Sequence, residues 1–161
     1  MMTSAINRTA RSFTFVELLI VIAIIGILSA MVIPNLKVAQ SNFELDSFVK
    51  DIYYLAKYLQ VSAASRSRIY RLDIEQDSGK TYFSAKYKNN AAEFIPLSGR
   101  FKKIYTMPLS TEISSVEPPD RANIFFYPDA SIDNTTIIFK NKSGKEMALV
   151  LSSTGTAIQI K

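Results

Sequence analysis

From Leu18 to Ile33, sixteen residues in a row are strongly apolar or Ala except for Gly26 and Ser29, and Phe13, Phe15 and Val16 extend the run toward the N-terminus. As a helix rising 1.5 Å per residue, the sixteen span about 24 Å, and the extension brings the total near the roughly 30 Å of a bilayer core. The pattern predicts a membrane-crossing helix over 13–33. Beyond Pro34 the apolar positions narrow to a stripe of Leu45, Phe48, Val49, Ile52, Leu55, Ala56 and Leu59, with Asp46, Lys50, Asp51 and Lys57 between them. Recurrence at i, i+3, i+4 and i+7 is the signature of an amphipathic helix. The helix is therefore expected to continue to about Ala64, with Tyr53, Tyr54 and Tyr58 in core or boundary packing rather than in a binding stripe.

From Arg68 the period changes to two. "RIYRLDIE" and "TYFSAKYK" flank the turn sequence "QDSGK" and predict a β-hairpin. Short strands are predicted at 93–95 and 100–106, then a loop over 107–122, whose Pro pair in "VEPPD" opposes regular pairing. "NIFFY", "TTIIFK", "EMALVLS" and "TAIQIK" follow, separated by "PDAS", "NKSGK" and "STG", and predict a four-stranded antiparallel meander. The expected class is α+β. A long N-terminal α-helix over 13–64, half transmembrane and half amphipathic, packs on an antiparallel β-sheet head over 65–161.

Composition removes most catalytic chemistry. Cys and His are both absent, which excludes disulfides, thiol nucleophiles, imidazole bases and the usual soft-metal sites. Ser152 to Thr156 have no His for a nucleophilic relay, and Asp73, Glu75, Asp77, Asp129 and Asp133 match no recognised calcium-loop spacing, so turn capping and solvation are their expected roles. The formal charge of +5 falls to +3 without residues 1–12, which hold Arg8 and Arg11 and no acid. "GRFKKIY" mixes Arg100, Lys102 and Lys103 with Tyr105, but strand alternation puts Arg100 and Lys102 on one face and Lys103 on the other, which argues against a nucleic-acid surface.

The flanking charges orient the apolar helix. Arg8 and Arg11 precede it and Lys37 follows, which keeps the N-terminus cytoplasmic and exports the head. Glu17 is then an anomaly, since an unpaired carboxylate inside such a segment costs on the order of 2–3 kcal/mol, less near the interface. A secretory signal peptide cut after "LSA" near Ala30 would have a shorter apolar region and no acid. A lipoprotein signal would need Cys, and a plain anchor leaves the acid without a partner.

"S-FTFVE" followed by an apolar helix resembles the class III signal of type IV pilins and of the pseudopilins of type II secretion. The resemblance implies a leader of residues 1–12, cut by a prepilin peptidase between Ser12 and Phe13, and N-methylation of the new Phe13 amine. It also implies pairing of Glu17, at the fifth mature position, with the Phe13 amine of a neighbouring subunit. Pro34 matches the family's habitual helix interruption. The family usually has Gly before the cut, where this chain has Ser12. At the other end, "FFYPDAS", an apolar strand, a Gly turn and "STGTAIQI" are similar to the head of H-type minor pseudopilins in the GspH/FimT-like family, with Ala130 where Gly is usual. Relatives that take up DNA carry Arg after the last turn Gly, whereas Gly155 here is followed by Thr156 and Ala157. What the resemblance implies is a non-catalytic minor pseudopilin that helps assemble or prime a type II secretion pseudopilus, without cofactor or metal. Its expected partners are other pseudopilins or pilins, the peptidase, the inner-membrane assembly platform and membrane lipid. The expected location is the bacterial inner membrane, single pass, with the head in the periplasm and later in a filament. The alternative is a minor type IV pilin acting in pilus assembly, DNA uptake or adhesion.

Overall fold

The computed structural model describes residues 13–99, 104–119 and 121–160, without the side chains of 30–35. It divides into two compact units, one ending at Lys37 and the other Val38–Lys161. One helix, α1 (Phe15–Arg66), contributes to both. It ends two residues beyond the predicted boundary, in a Schellman cap. Ser67 adopts φ 49° and the Arg68 N–H reaches back to the Ala63 carbonyl at 3.2 Å. Because Ser and not Gly occupies this left-handed position, the sequence carries no stop signal there.

Beyond α1, the described residues of the second unit form nine strands: β1 (Tyr70–Asp77), β2 (Lys80–Lys88), β3 (Phe94–Pro96), β4 (Tyr105–Thr106), β5 (Thr111–Glu117), β6 (Asn123–Phe126), β7 (Thr135–Asn141), β8 (Glu146–Ser152) and β9 (Gly155–Ile160). They form two antiparallel sheets, in the orders β3-β2-β1-β6, with β4 also on β2, and β5-β7-β8-β9. The predicted stripe Leu45, Phe48, Val49, Ile52, Leu55, Ala56 and Leu59 is buried in full, joined by Ala63. Facing it are Tyr70, Leu72, Phe83, Ile124 and Phe126 from the first sheet and Ile137, Phe139, Leu149 and Leu151 from the second. Phe48 meets both sheets edge-on, with ring centroids 5.6 Å from Phe83 and 5.9 Å from Phe139.

Two strand expectations need correction. The predicted loop contains β5, which pairs with β7. Its apolar residues Ile113 and Val116 are three apart rather than two, and a bulge between Ile113 and Ser115 lets both pack on the core. The Pro pair only ends the strand. "NIFFY" supplies β6, which pairs with β1 in the first sheet instead of joining the C-terminal meander. The turn after it closes through a single bridge, Phe126 to Ile132, and the chain then crosses to begin β7, leaving a meander of β7, β8 and β9. Of the strand predicted over 100–106, residues 100–103 lie outside the described set, and β4 is what remains.

Candidate assembly site at the start of the helix

Thr14 opens α1. Its carbonyl accepts from the Leu18 N–H at 3.2 Å, and its hydroxyl accepts from the Glu17 N–H, also at 3.2 Å. Thr14 is thus an N-cap with Glu17 at the third helical position, the Thr-x-x-Glu spacing of a capping box. The sequence reasoning missed Thr14, although this spacing is readable in "TFVE". Placing an acid in the first turn is also favourable to the helix, whose unsatisfied N–H groups make that end partly positive.

Around this acid the surface is apolar. Phe13, Phe15, Val16, Leu18, Leu19 and Ile20 are each at least half exposed, and Glu17 is exposed among them. Further along, the Ser29 hydroxyl donates to the Ile25 carbonyl at 2.7 Å, so a polar side chain in the apolar run satisfies itself on its own backbone. An exposed carboxylate among exposed apolar side chains is chemically able to accept hydrogen bonds from a cation.

The structure brings Phe13 and Glu17 to the same helix end. Ser12 and the leader 1–12 lie outside the described residues. The backbone of α1 stays helical through position 34, and the Pro34 side chain is among those not described. Among the described residues no helix is long and apolar enough to cross a membrane. The apolar part of α1 with described side chains runs only from Phe15 to Ser29, about 22 Å at 1.5 Å per residue.

The head's ionic groups serve the fold. Asp73 is buried on the outer face of the first sheet, where it accepts from Arg71 Nη2 at 2.9 Å and Lys86 Nζ at 2.8 Å. Arg71 Nε lies still nearer, at 2.6 Å, but its hydrogen is not directed at the carboxylate. The bond to Asp73 holds the Lys86 ammonium above its ordinary pKa. Asp133 pairs with Arg121 at 2.9 Å and accepts from the Phe125 N–H, and Asp129 caps the turn at Ser131. Among the described residues no cluster of acids is placed to hold a metal ion.

Residues 7–33 match the family model of the prokaryotic N-terminal methylation motif. Type II secretion system protein H of Pseudomonas aeruginosa is 30% identical over 91 residues, covering 56% of this chain and 51% of that protein. The minor pseudopilin EpsH from the Type 2 Secretion System of Vibrio cholerae superposes with a TM-score of 0.57 at 10% identity, over 70% of this chain and 92% of that one. The chain carries the N-terminal methylation motif and has the minor pseudopilin fold. Type II secretion system core protein G of Dickeya chrysanthemi is 34% identical to this chain over 62 residues, 38% of its length and 40% of the relative's. The chain thus spans about half the length, or less, of these curated relatives. The type IV minor pilin FimU of P. aeruginosa shares the fold with a TM-score of 0.52 at 15% identity, over 74% of this chain and 90% of that one.

Proposed function

We propose that this chain is a minor subunit of a type II secretion pseudopilus, a non-catalytic protein that helps assemble or prime the filament. In this reading a prepilin peptidase removes residues 1–12, the new Phe13 amine is methylated, and α1 anchors the subunit in the inner membrane through 13–33, with the head in the periplasm. Assembly on the membrane platform then moves Glu17 from lipid into a bundle of neighbouring helices, where it meets the Phe13 amine of the next subunit. Pro34, which withholds one backbone donor, is the point at which the helix bends or locally melts as subunits pack. The observation that carries the reading is Glu17 itself, an exposed acid in the capped first turn of an apolar helix within the methylation motif. The secretion reading is preferred to a type IV pilus role because the two curated relatives matched are both secretion proteins.

Glu17→Ala tests it. The Thr14 cap uses the backbone of residue 17, so helix and head should survive the change. The expected outcome is a variant at the wild-type level in the membrane fraction, absent from sheared filaments, with secretion reduced. Normal incorporation together with normal secretion would falsify the mechanism.

A further inference from the structure

Sheet edges offer unpaired N–H and C=O groups to any extended chain, and natural proteins block them with short strands, Pro, charge, bulges or covering segments. Among the described residues, each edge of this head but one is blocked. In the first sheet, β3 is three residues long and ends in Pro96, and β4 is two residues long. β6 is covered by the segment after it, where Tyr127 donates to Ser131, Asp133 donates to Phe125, and Ile132 bridges Phe126. In the second sheet, β5 carries Glu112 and Glu117, a bulge, and Pro118 and Pro119 at its end. Within Gly155–Ile160, before the Lys161 that follows it in the sequence, β9 has none of these devices. It runs six residues without charge or Pro, keeps an unshifted register on β8, and among the described residues pairs with β8 alone.

The sequence of β9 suits one occupant. We propose that the β9 edge is a self-association surface, on which β9 of one copy pairs antiparallel with β9 of a second and joins the two four-stranded sheets into one. A two-fold axis normal to the sheet keeps core faces together, so residues of like parity must meet. With the axis at Ile158, Ile158 faces its own counterpart and Thr156 faces Ile160 of the second copy on the core side. Ala157 faces Gln159 of the second copy on the outer side. No charges are opposed across Thr156–Ile160. Ile160, which is 73% exposed in the single chain, gains a cover, and Ile158 continues the apolar layer it already joins. The proposal is independent of the filament reading, which rests on the opposite end of the chain.

The register makes the test specific. Ala157 and Gln159 are both exposed, and their β8 partners Val150 and Ala148 are uncharged, so lysines at both positions leave the fold intact. Residues from Val38 onward are the material to use, because that unit contains the entire core cluster. Sedimentation equilibrium from about 10 µM to 1 mM should show a monomer–dimer equilibrium. A157K/Q159K sets a lysine of one copy opposite a lysine of the other twice per dimer and should weaken association by about tenfold or more. A157K/Q159E sets Lys opposite Glu at the same two places and should restore it. Unchanged thermal midpoints check the fold of both variants. A head that stays monomeric at 1 mM overturns the proposal and leaves the edge to a strand from a different protein. Equal dimerisation of both variants overturns it as well, since the contact would then lie elsewhere.

Discussion

Glu44 shows how a surface acid can be tuned by two hydrogen bonds. Ser110 Oγ donates to its carboxylate at 2.6 Å and Gln40 Nε2 at 2.9 Å. Both bonds favour the charged form, Ser110 most, and hold the carboxyl below its ordinary 4.5 against a small opposing effect of burial. A folded-state value below the unfolded one means that the stability linked to Glu44 is present above about 4.5 and is lost as pH falls through the folded value. Ser110→Ala removes the larger cause and leaves the Ser110 carbonyl free to keep its bond from the Lys142 N–H. An NMR titration of the Glu44 carboxyl carbon should then show its midpoint rising toward 4.5. A midpoint that does not move would mean that Ser110 contributes nothing to the charged state. Its neighbours on α1 are gripped likewise, Asn42 by Asn141 and Ser143 and Asp46 by Lys145 at 2.6 Å, so two loops fix the helix over 42–46.

At the scale of elements, Phe48 is where α1 and both sheets converge. Its ring packs edge-to-face on Phe83 and Phe139, and in a close-packed core the neighbours can fill the space it leaves only by abandoning their own rotamers. Phe48→Ala should cost about 3–5 kcal/mol by urea denaturation of the head. Tyr54→Ala, on the exposed face of the same helix, should cost less than about 1 kcal/mol. Comparable losses at both positions would mean that the stripe does not carry the packing. This helix was legible because a 3.6-residue period survives from Leu45 to Leu59 without interruption. β1 and β2 were legible for the same reason at period two, and β7, β8 and β9 as apolar runs set off by the turn sequences "PDAS", "NKSGK" and "STG". β5 was hidden because a bulge shifts its parity between Ile113 and Val116, which erases the alternation that marks a strand. The partner of β6 was hidden because sheet order depends on where the chain goes after a turn, and "YPDAS" reads the same whether it closes a hairpin or launches a crossover. Edge status has the same origin: nothing local in "GTAIQI" says that β9 has one neighbour. The candidate site residues Phe13, Glu17 and Pro34 were picked out by a motif read in order, which the family model matches over 7–33, while Thr14 was passed over because its role is local capping.

For the whole molecule, the division at Lys37 separates an exposed apolar helix segment from the unit that holds the core. Every residue of the buried cluster lies at or beyond Leu45, while the apolar side chains from Phe13 to Leu28 are exposed and add to no core within this chain. Stability of the head should therefore owe nothing to the first unit. Removing residues up to Lys37 is expected to leave the stability of the head to urea within about 0.5 kcal/mol of the longer protein measured in the same detergent, as for substitutions far from any packed contact. The polar grip on Asn42, Glu44 and Asp46 remains in the shortened chain and keeps the cut end from fraying into the core. Glu17→Ala should match the unaltered protein in the same measurement, which allows a defect in assembly to be told from a defect in folding. A loss of more than about 1 kcal/mol on truncation would mean that the head draws stabilising contacts from the first unit.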